Sequence, residues 1–196
     1  MIPRLVLASA SARRREILSR LGLCFELRPP SVDERWDPRE TPGEAAVRIA
    51  AEKAIAVSRE PDEIVLAADT LVAVDGQLLG KPANREEAVE MLMRLAGRAH
   101  SVFTGLALAH GDRVEAAVEE TRVWFRPLAR SECAEYVATG ESLDKAGAYA
   151  IQGYGSSLVR RIDGDYFNVM GLPVHLLLGL LGLYRLRYAF GQLEEV

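Results

Sequence analysis

"RLVLASASARRREIL", Arg4 to Leu18, changes its hydrophobic period in the middle. The short apolar run before the serines predicts a buried strand. Ser9 or Ser11 then caps a helix that runs to about Leu21, with Ile17, Leu18 and Leu21 on one face. A strand that hands the chain to a helix through a serine turn is the repeating device of α/β proteins. The turn also has an electrostatic oddity. A helix N-terminus carries partial positive charge, yet Arg13, Arg14 and Arg15 crowd this one, and Glu16 is the only acid among the first twenty residues.

Moving outward, "CFELRPP" predicts a second short strand stopped by Pro29 and Pro30, and "SVDERWDPRET" a polar loop. In "TPGEAAVRIAAEKAIAVSRE", Thr41 caps a helix, Pro42 takes its first turn and Glu44 completes a capping box. "EIVLAADTLVAVDGQLLGKP" reads as two apolar runs about an Asp75-Gly76 hairpin. "NREEAVEMLMRLAG" is a helix capped by Asn84 and stopped by Gly97. Two long strands follow around Gly111-Asp112. "SECAEYVATGES" is a helix with Ser131 as its cap. The glycine-rich stretch Asp144 to Pro173 predicts loops, a short helix and a strand. "GLPVHLLLGLLGLYRLRY" is an apolar helix starting near Pro173. Alternating strands and helices give an α/β class, and the two hairpins make the sheet mixed rather than all parallel.

The bounds agree with a globular protein. A chain of 196 residues, 49% hydrophobic, can fill the core of one large domain or of two small lobes. A net charge of −4 argues against nucleic acid or an acidic membrane as partner. The N-terminal apolar run is shorter than a signal segment, and His175 with the Arg185–Arg187 end keeps the last helix below a membrane span. Cys24 and Cys133 match no metal spacing and read as free thiols of a reducing cytosol. A cytoplasmic protein is expected.

Three features carry chemistry. Helix N-terminal amides, serines including Ser9, and the adjacent Arg13 and Arg14 all aim donors at one spot, which suits a phosphate chain. The alternative is a solvated face, the usual fate of a charge run. Asp69 lies at the end of an otherwise apolar run, where an acid is costly unless paired, hydrogen-bonded or metal-bound; otherwise it is a turn acid like Asp75. Thr70 can orient it, and Lys53 and Lys81 can approach it, though either lysine alone reads as surface. Glu34 follows the second strand, at the end of the sheet where α/β proteins form ligand crevices. Asp69 and Glu34 about a divalent cation such as Mg²⁺ would neutralise polyphosphate oxygens and acidify water. There is no GxxxxGK[ST] loop, which argues against a P-loop enzyme.

Five segments in order, "LASASARRREIL", "AADTLVAVDGQLLGKP", "HSVFTGLAL", "DKAGAYAIQGYG" and "IDGDYFNVMGLP", resemble the Maf-type nucleoside triphosphate pyrophosphatases over nearly the whole chain. The resemblance implies one Maf-like domain over residues 1–196. Its fold would be a mixed, partly antiparallel twisted sheet flanked by helices, two-lobed about a central cleft as in the ITPases. It implies a homodimer that cleaves a nucleoside triphosphate to the monophosphate and pyrophosphate with a divalent metal, Mg or Mn. It makes Asp69 the general base, with Glu34 and Asp69 at the metal, Glu34, Lys53 and Lys81 around the phosphates, and Arg13, Thr70 and Gln152 at specificity positions. Ala12 stands where the family has proline, which loosens the turn without removing the site.

"GAYAIQGYG" resembles the branch acting on dTTP and UTP; the branch acting on 7-methyl-GTP has glutamate at the position of Gln152. Uracil and thymine present acceptor, donor and acceptor, which a carboxamide can meet from both sides. Tyr149 and Tyr154 are expected to crowd a purine. The family's link to septum formation leaves an alternative, a nucleotide-binding regulator of cell division that needs no catalysis.

Overall fold

The computed structural model describes residues 2–37, 39–57 and 60–196. Its strands are β1 (Arg4–Ala8), β2 (Phe25–Leu27), β3 (Glu63–Val74), β4 (Gln77–Leu79), β5 (Ala99–His110), β6 (Arg113–Phe125), β7 (Val159–Asp163), β8 (Leu186–Tyr188) and β9 (Leu193–Glu195). The helices are α1 (Ala12–Arg20), α2 (Pro42–Ala56), α3 (Arg85–Leu95), α4 (Arg130–Ala138), α5 (Tyr166–Met170) and α6 (Val174–Leu183). Seven of these strands form one sheet in the order β2-β1-β3-β5-β6-β7, with β4 paired to β3. The sheet is mixed: β1 runs parallel to β2 and β3, whereas β3–β4 and β6–β7 are antiparallel.

The chain divides into two compact units. The first contains residues 1–69, 104–119 and 171–196. Its core joins Val6 and Ala8 of β1, Val65 and Ala67 of β3, and Ala107 and Ala109 of β5 to Ala50 and Ala54 of α2. Small side chains let the helix lie close to the strands. A Cβ on Gly105 would stand 2.2 Å from the Ala46 carbonyl oxygen, so only glycine fits there. The capping box predicted for α2 is present: the Glu44 backbone N–H donates to the Thr41 hydroxyl, and the Thr41 N–H donates to the Glu44 carboxylate.

The second unit contains residues 70–103 and 120–170. Its core gathers Val72 and Val74 of β3, Val89, Leu92 and Leu95 of α3, Val123 and Phe125 of β6, and Cys133 and Val137 of α4, with Tyr149. The Asp75-Gly76 turn has both residues at positive φ, as a two-residue hairpin requires.

Two expectations are corrected. Ser131 does not cap α4. The helix begins at Arg130, two residues earlier than a Ser131 cap implies, with Ala129 at the cap, and the Glu132 carboxylate accepts from the Ala129 N–H at 2.8 Å. That carboxylate, three residues into the helix, satisfies the N–H of the cap residue itself, and alanine at the cap offers no side-chain acceptor to the first-turn amides. The apolar C-terminal helix stops at Leu183 instead of continuing through "LYRLRY". Arg185 takes φ +57, and β8 and β9 form a separate antiparallel pair. Leucine periodicity marks this helix but not its end, because leucines continue past Leu183 and Gly179 already lies inside the helix without stopping it.

Candidate active site

The parallel strands of the first unit place three elements at one end of the sheet. β1 ends at Ala8, which pairs with Ala67 of β3, so Ser9 and Asp69 lie at the same end of the paired strands. β2 pairs in parallel with β1 and leads into the loop that carries Glu34. This is the carboxyl end of the parallel strands, where side chains from successive turns converge.

At that end, the Lys53 ammonium lies 2.6 Å from Asp69 Oδ1 and 2.7 Å from Glu34 Oε1. Lys53 and Asp69 are each only 6% exposed, whereas the Glu34 side chain is half exposed. Asp69 is therefore a mid-strand acid, not a turn acid like Asp75. Its charge is tolerated because a buried cation answers it. Lys53 lies in the last turn of α2, where the helix dipole favours a cation.

The Glu34 loop is anchored by α2 as well. Arg48 donates to the Arg35 carbonyl at 3.0 Å and to both Glu40 carboxylate oxygens, while the Trp36 indole donates to the Glu40 carbonyl. Sequence reading gave Arg48 no role. The available signal was that α2 carries Arg48 and Glu52 one turn apart, beside an otherwise unanchored polar loop.

Ser11, not Ser9, caps α1, accepting from the Arg14 N–H. Ser9 instead receives the Ser11 N–H at 3.2 Å and Arg14 Nη1 at 3.1 Å, while Arg14 Nε donates to the Gly171 carbonyl at 2.8 Å. Arg14 is buried, and burial lowers its pKa against the raising field of Asp69; repulsion from Arg13 lowers it too, and Glu34 raises it again. The guanidinium remains charged. Arg13 is half-buried and Arg15 is exposed. The arginines therefore divide: Arg14 braces the serine turn and reaches the start of the segment before α6, while its neighbours flank it.

Three of the predicted site residues belong to the second unit. Thr70 follows Asp69 in β3 and is half-buried, Lys81 is exposed in the loop after β4, and Gln152 is half-buried in the loop before a short 3₁₀ turn, Gly153–Ser157. The Gly147 N–H donates to the Gly80 carbonyl at 3.1 Å, which ties the loop of Lys81 to the turn leading toward Gln152. Tyr149 is not a free wall for a base. It is 4% exposed, edge-on to Phe125, and its hydroxyl lies 2.7 Å from His100 Nε2. Tyr154 is 68% exposed.

Among the described residues, no group of three or more His, Cys, Asp or Glu is poised around a common point. The carboxylate pair Glu34 and Asp69 is a hard-oxygen donor set. No helix among the described residues is long and apolar enough to cross a membrane.

A mixed α/β fold with a lysine held between two acids beside a buried arginine is the frame of an enzyme for anionic substrates. The solved Staphylococcus aureus Ham1 protein shares the fold, with a TM-score of 0.50 and 15% identity, covering 92% of this chain and 99% of that one. The Maf-like protein family matches residues 4–183, and the chain belongs to that family. The dTTP/UTP pyrophosphatase of Symbiobacterium thermophilum is 54% identical, covering 87% of this chain and 89% of the relative. That of Gloeobacter violaceus is 48% identical, covering 92% and 96%. That of Pyrococcus abyssi is 47% identical, covering 91% and 95%.

Proposed function

We propose that the chain is a nucleoside triphosphate pyrophosphatase that hydrolyses dTTP and UTP to the monophosphate and pyrophosphate. The observation that carries this reading is the buried Asp69–Lys53 pair, joined by Glu34, in a chain whose relatives bear that activity in their names. In the reaction, water oxygen bonds to phosphorus, the α–β phosphoanhydride opens, pyrophosphate leaves, and the water proton passes to Asp69. Lys53, 2.6 Å from Asp69 Oδ1, orients the Asp69 carboxylate for that proton. Arg13, with the turn that Ser9 and Arg14 brace, offers donors to the phosphates. Lys81 adds positive charge, and Thr70 and Gln152 read the pyrimidine.

Glu34 and Asp69 fit a hard divalent ion, Mg or Mn, because such ions bind through one or two carboxylates and take their remaining oxygens from water and substrate. A bound ion would offset phosphate charge and lower the pKa of water. The activity calls for a cytoplasmic nucleotide pool. A single functional domain and a homodimer complete the reading: the last helix buries Leu177, Leu180 and Leu181 but leaves Leu183 48% exposed. Light scattering that gives a monomer mass would remove the dimer. A binding-only regulator of cell division is not favoured, since nothing in that role needs a lysine-held acid.

The test is pyrophosphate release from UTP, dTTP, CTP, GTP and 7-methyl-GTP with Mg²⁺ or Mn²⁺, for the parent and for Asp69→Asn. The parent should prefer UTP and dTTP. Asp69→Asn should lower kcat by about 10²–10⁴ with little loss of binding. A preference for GTP or 7-methyl-GTP would overturn the substrate class, and near-parent turnover by the variant would overturn the role of Asp69.

A further inference from the structure

Gln152 sits on a loop whose backbone is fixed from both sides by side chains to which the reading of the sequence gave no role. The Ala150 N–H donates to the Tyr136 hydroxyl at 3.1 Å. The Glu141 carboxylate accepts from the Tyr154 N–H at 3.0 Å and from the Gly155 N–H at 3.1 Å. Gln152 lies between these two anchor points.

The fit leaves little freedom. Gly153 has φ +60, and a Cβ there would stand 2.2 Å from Glu141 Oε1. A Cβ on Gly155 would stand 2.2 Å from the Ala150 carbonyl oxygen and 2.8 Å from the Tyr136 hydroxyl. The glycines of "QGYG" are therefore what lets the loop close onto Glu141 and Tyr136. Glu141 is itself placed by the end of α4: Gly140 turns the chain at φ +85, and the Glu141 N–H donates to the Thr139 hydroxyl at 3.3 Å. A carboxylate taking two successive backbone N–H groups makes charge-assisted bonds that a neutral acceptor would not match.

We infer that Glu141 is a positioning residue for base selection, holding the loop so that the Gln152 carboxamide presents a fixed donor–acceptor pair to the pyrimidine edge. This inference rests on the assignment of Gln152 to base reading. A carboxamide discriminates only if its orientation is fixed; a loose loop lets donor and acceptor exchange places, and the wrong base then leaves fewer groups unpaired. The interaction is with the base, remote from the bond that breaks, so its loss should raise KM and leave kcat nearly unchanged.

The experiment compares kcat and KM for UTP and GTP in the full-length parent, Glu141→Ala, Glu141→Gln and Gln152→Ala, with amide hydrogen exchange followed at Tyr154 and Gly155. Losing the carboxylate should cut the UTP-over-GTP ratio of kcat/KM by about tenfold, equal to about 1.4 kcal/mol. The loss should appear in the KM for UTP and be accompanied by faster exchange at both amides. Glu141→Gln keeps one acceptor oxygen and should fall between parent and alanine; it also serves if the alanine variant fails to fold. If Gln152→Ala lowers discrimination while both Glu141 variants keep it, the positioning role is overturned and the base reading stands. If Gln152→Ala leaves discrimination unchanged, the base reading fails and takes the role of Glu141 with it.

Discussion

Replacing Lys53 with methionine tests the centre of the site directly. Methionine keeps most of the aliphatic length and removes the charge. Unit charges 2.6 Å apart attract by about 6 kcal/mol at an effective dielectric constant of about 20, and desolvation of the two ions takes back roughly half. Glu34 is half exposed and regains water when the lysine is lost, but Asp69, at 6% exposure, cannot. The expected loss is therefore about 3 kcal/mol, dominated by Asp69. For a chain of this length that corresponds to a fall in Tm of about 6–12 °C. The assay is urea unfolding at pH 8 for the parent, Lys53→Met, Asp69→Asn and the double variant. Because the charge left behind causes the damage, Asp69→Asn should rescue Lys53→Met, giving a coupling of about 2 kcal/mol in the cycle. A Lys53→Met protein within about 0.5 kcal/mol of the parent, or strictly additive effects, would refute the view that a desolvated Asp69 depends on this lysine.

Two further outcomes follow from the packing. Gly105→Ala should destabilise by about 1–3 kcal/mol or more, because the new Cβ meets the backbone of Ala46 and Val47 at 2.2–2.7 Å, not a side chain that can move aside; an unchanged urea midpoint would show that α2 can lift from the strand. Acid should weaken the fold through His100, whose pKa burial pushes down to about 4 from an ordinary 6.5. The unfolded chain binds that proton first, so the stability His100 contributes is whole above about pH 6.5 and is lost as pH falls through 4, about 3 kcal/mol in all. His100→Phe should flatten the pH dependence of urea unfolding between those limits, and an unaltered slope would remove His100 as its source.

Much of this protein was legible in its sequence because the signals are local. The Thr41-Pro42-Glu44 start of α2, the Asn84 cap of α3 and the Asp75-Gly76 and Gly111-Asp112 turns each depend on a few neighbouring residues, and each forms where its chemistry predicts. The anomaly of Asp69 was also local, since an acid inside an apolar run demands compensation wherever the run is buried. What compensates it was not local. Lys53 is sixteen residues away and Glu34 thirty-five, and only parallel pairing of β1 with β2 and β3 brings their ends together. The same holds for Arg14, whose partner Gly171 is 157 residues distant, and for Tyr149, which looked like a pocket wall and is held by His100. Composition and period fix which segments become strands and helices. The donor each acceptor meets is decided by strand order and register, which the free energy of the whole packed core selects and no short stretch encodes.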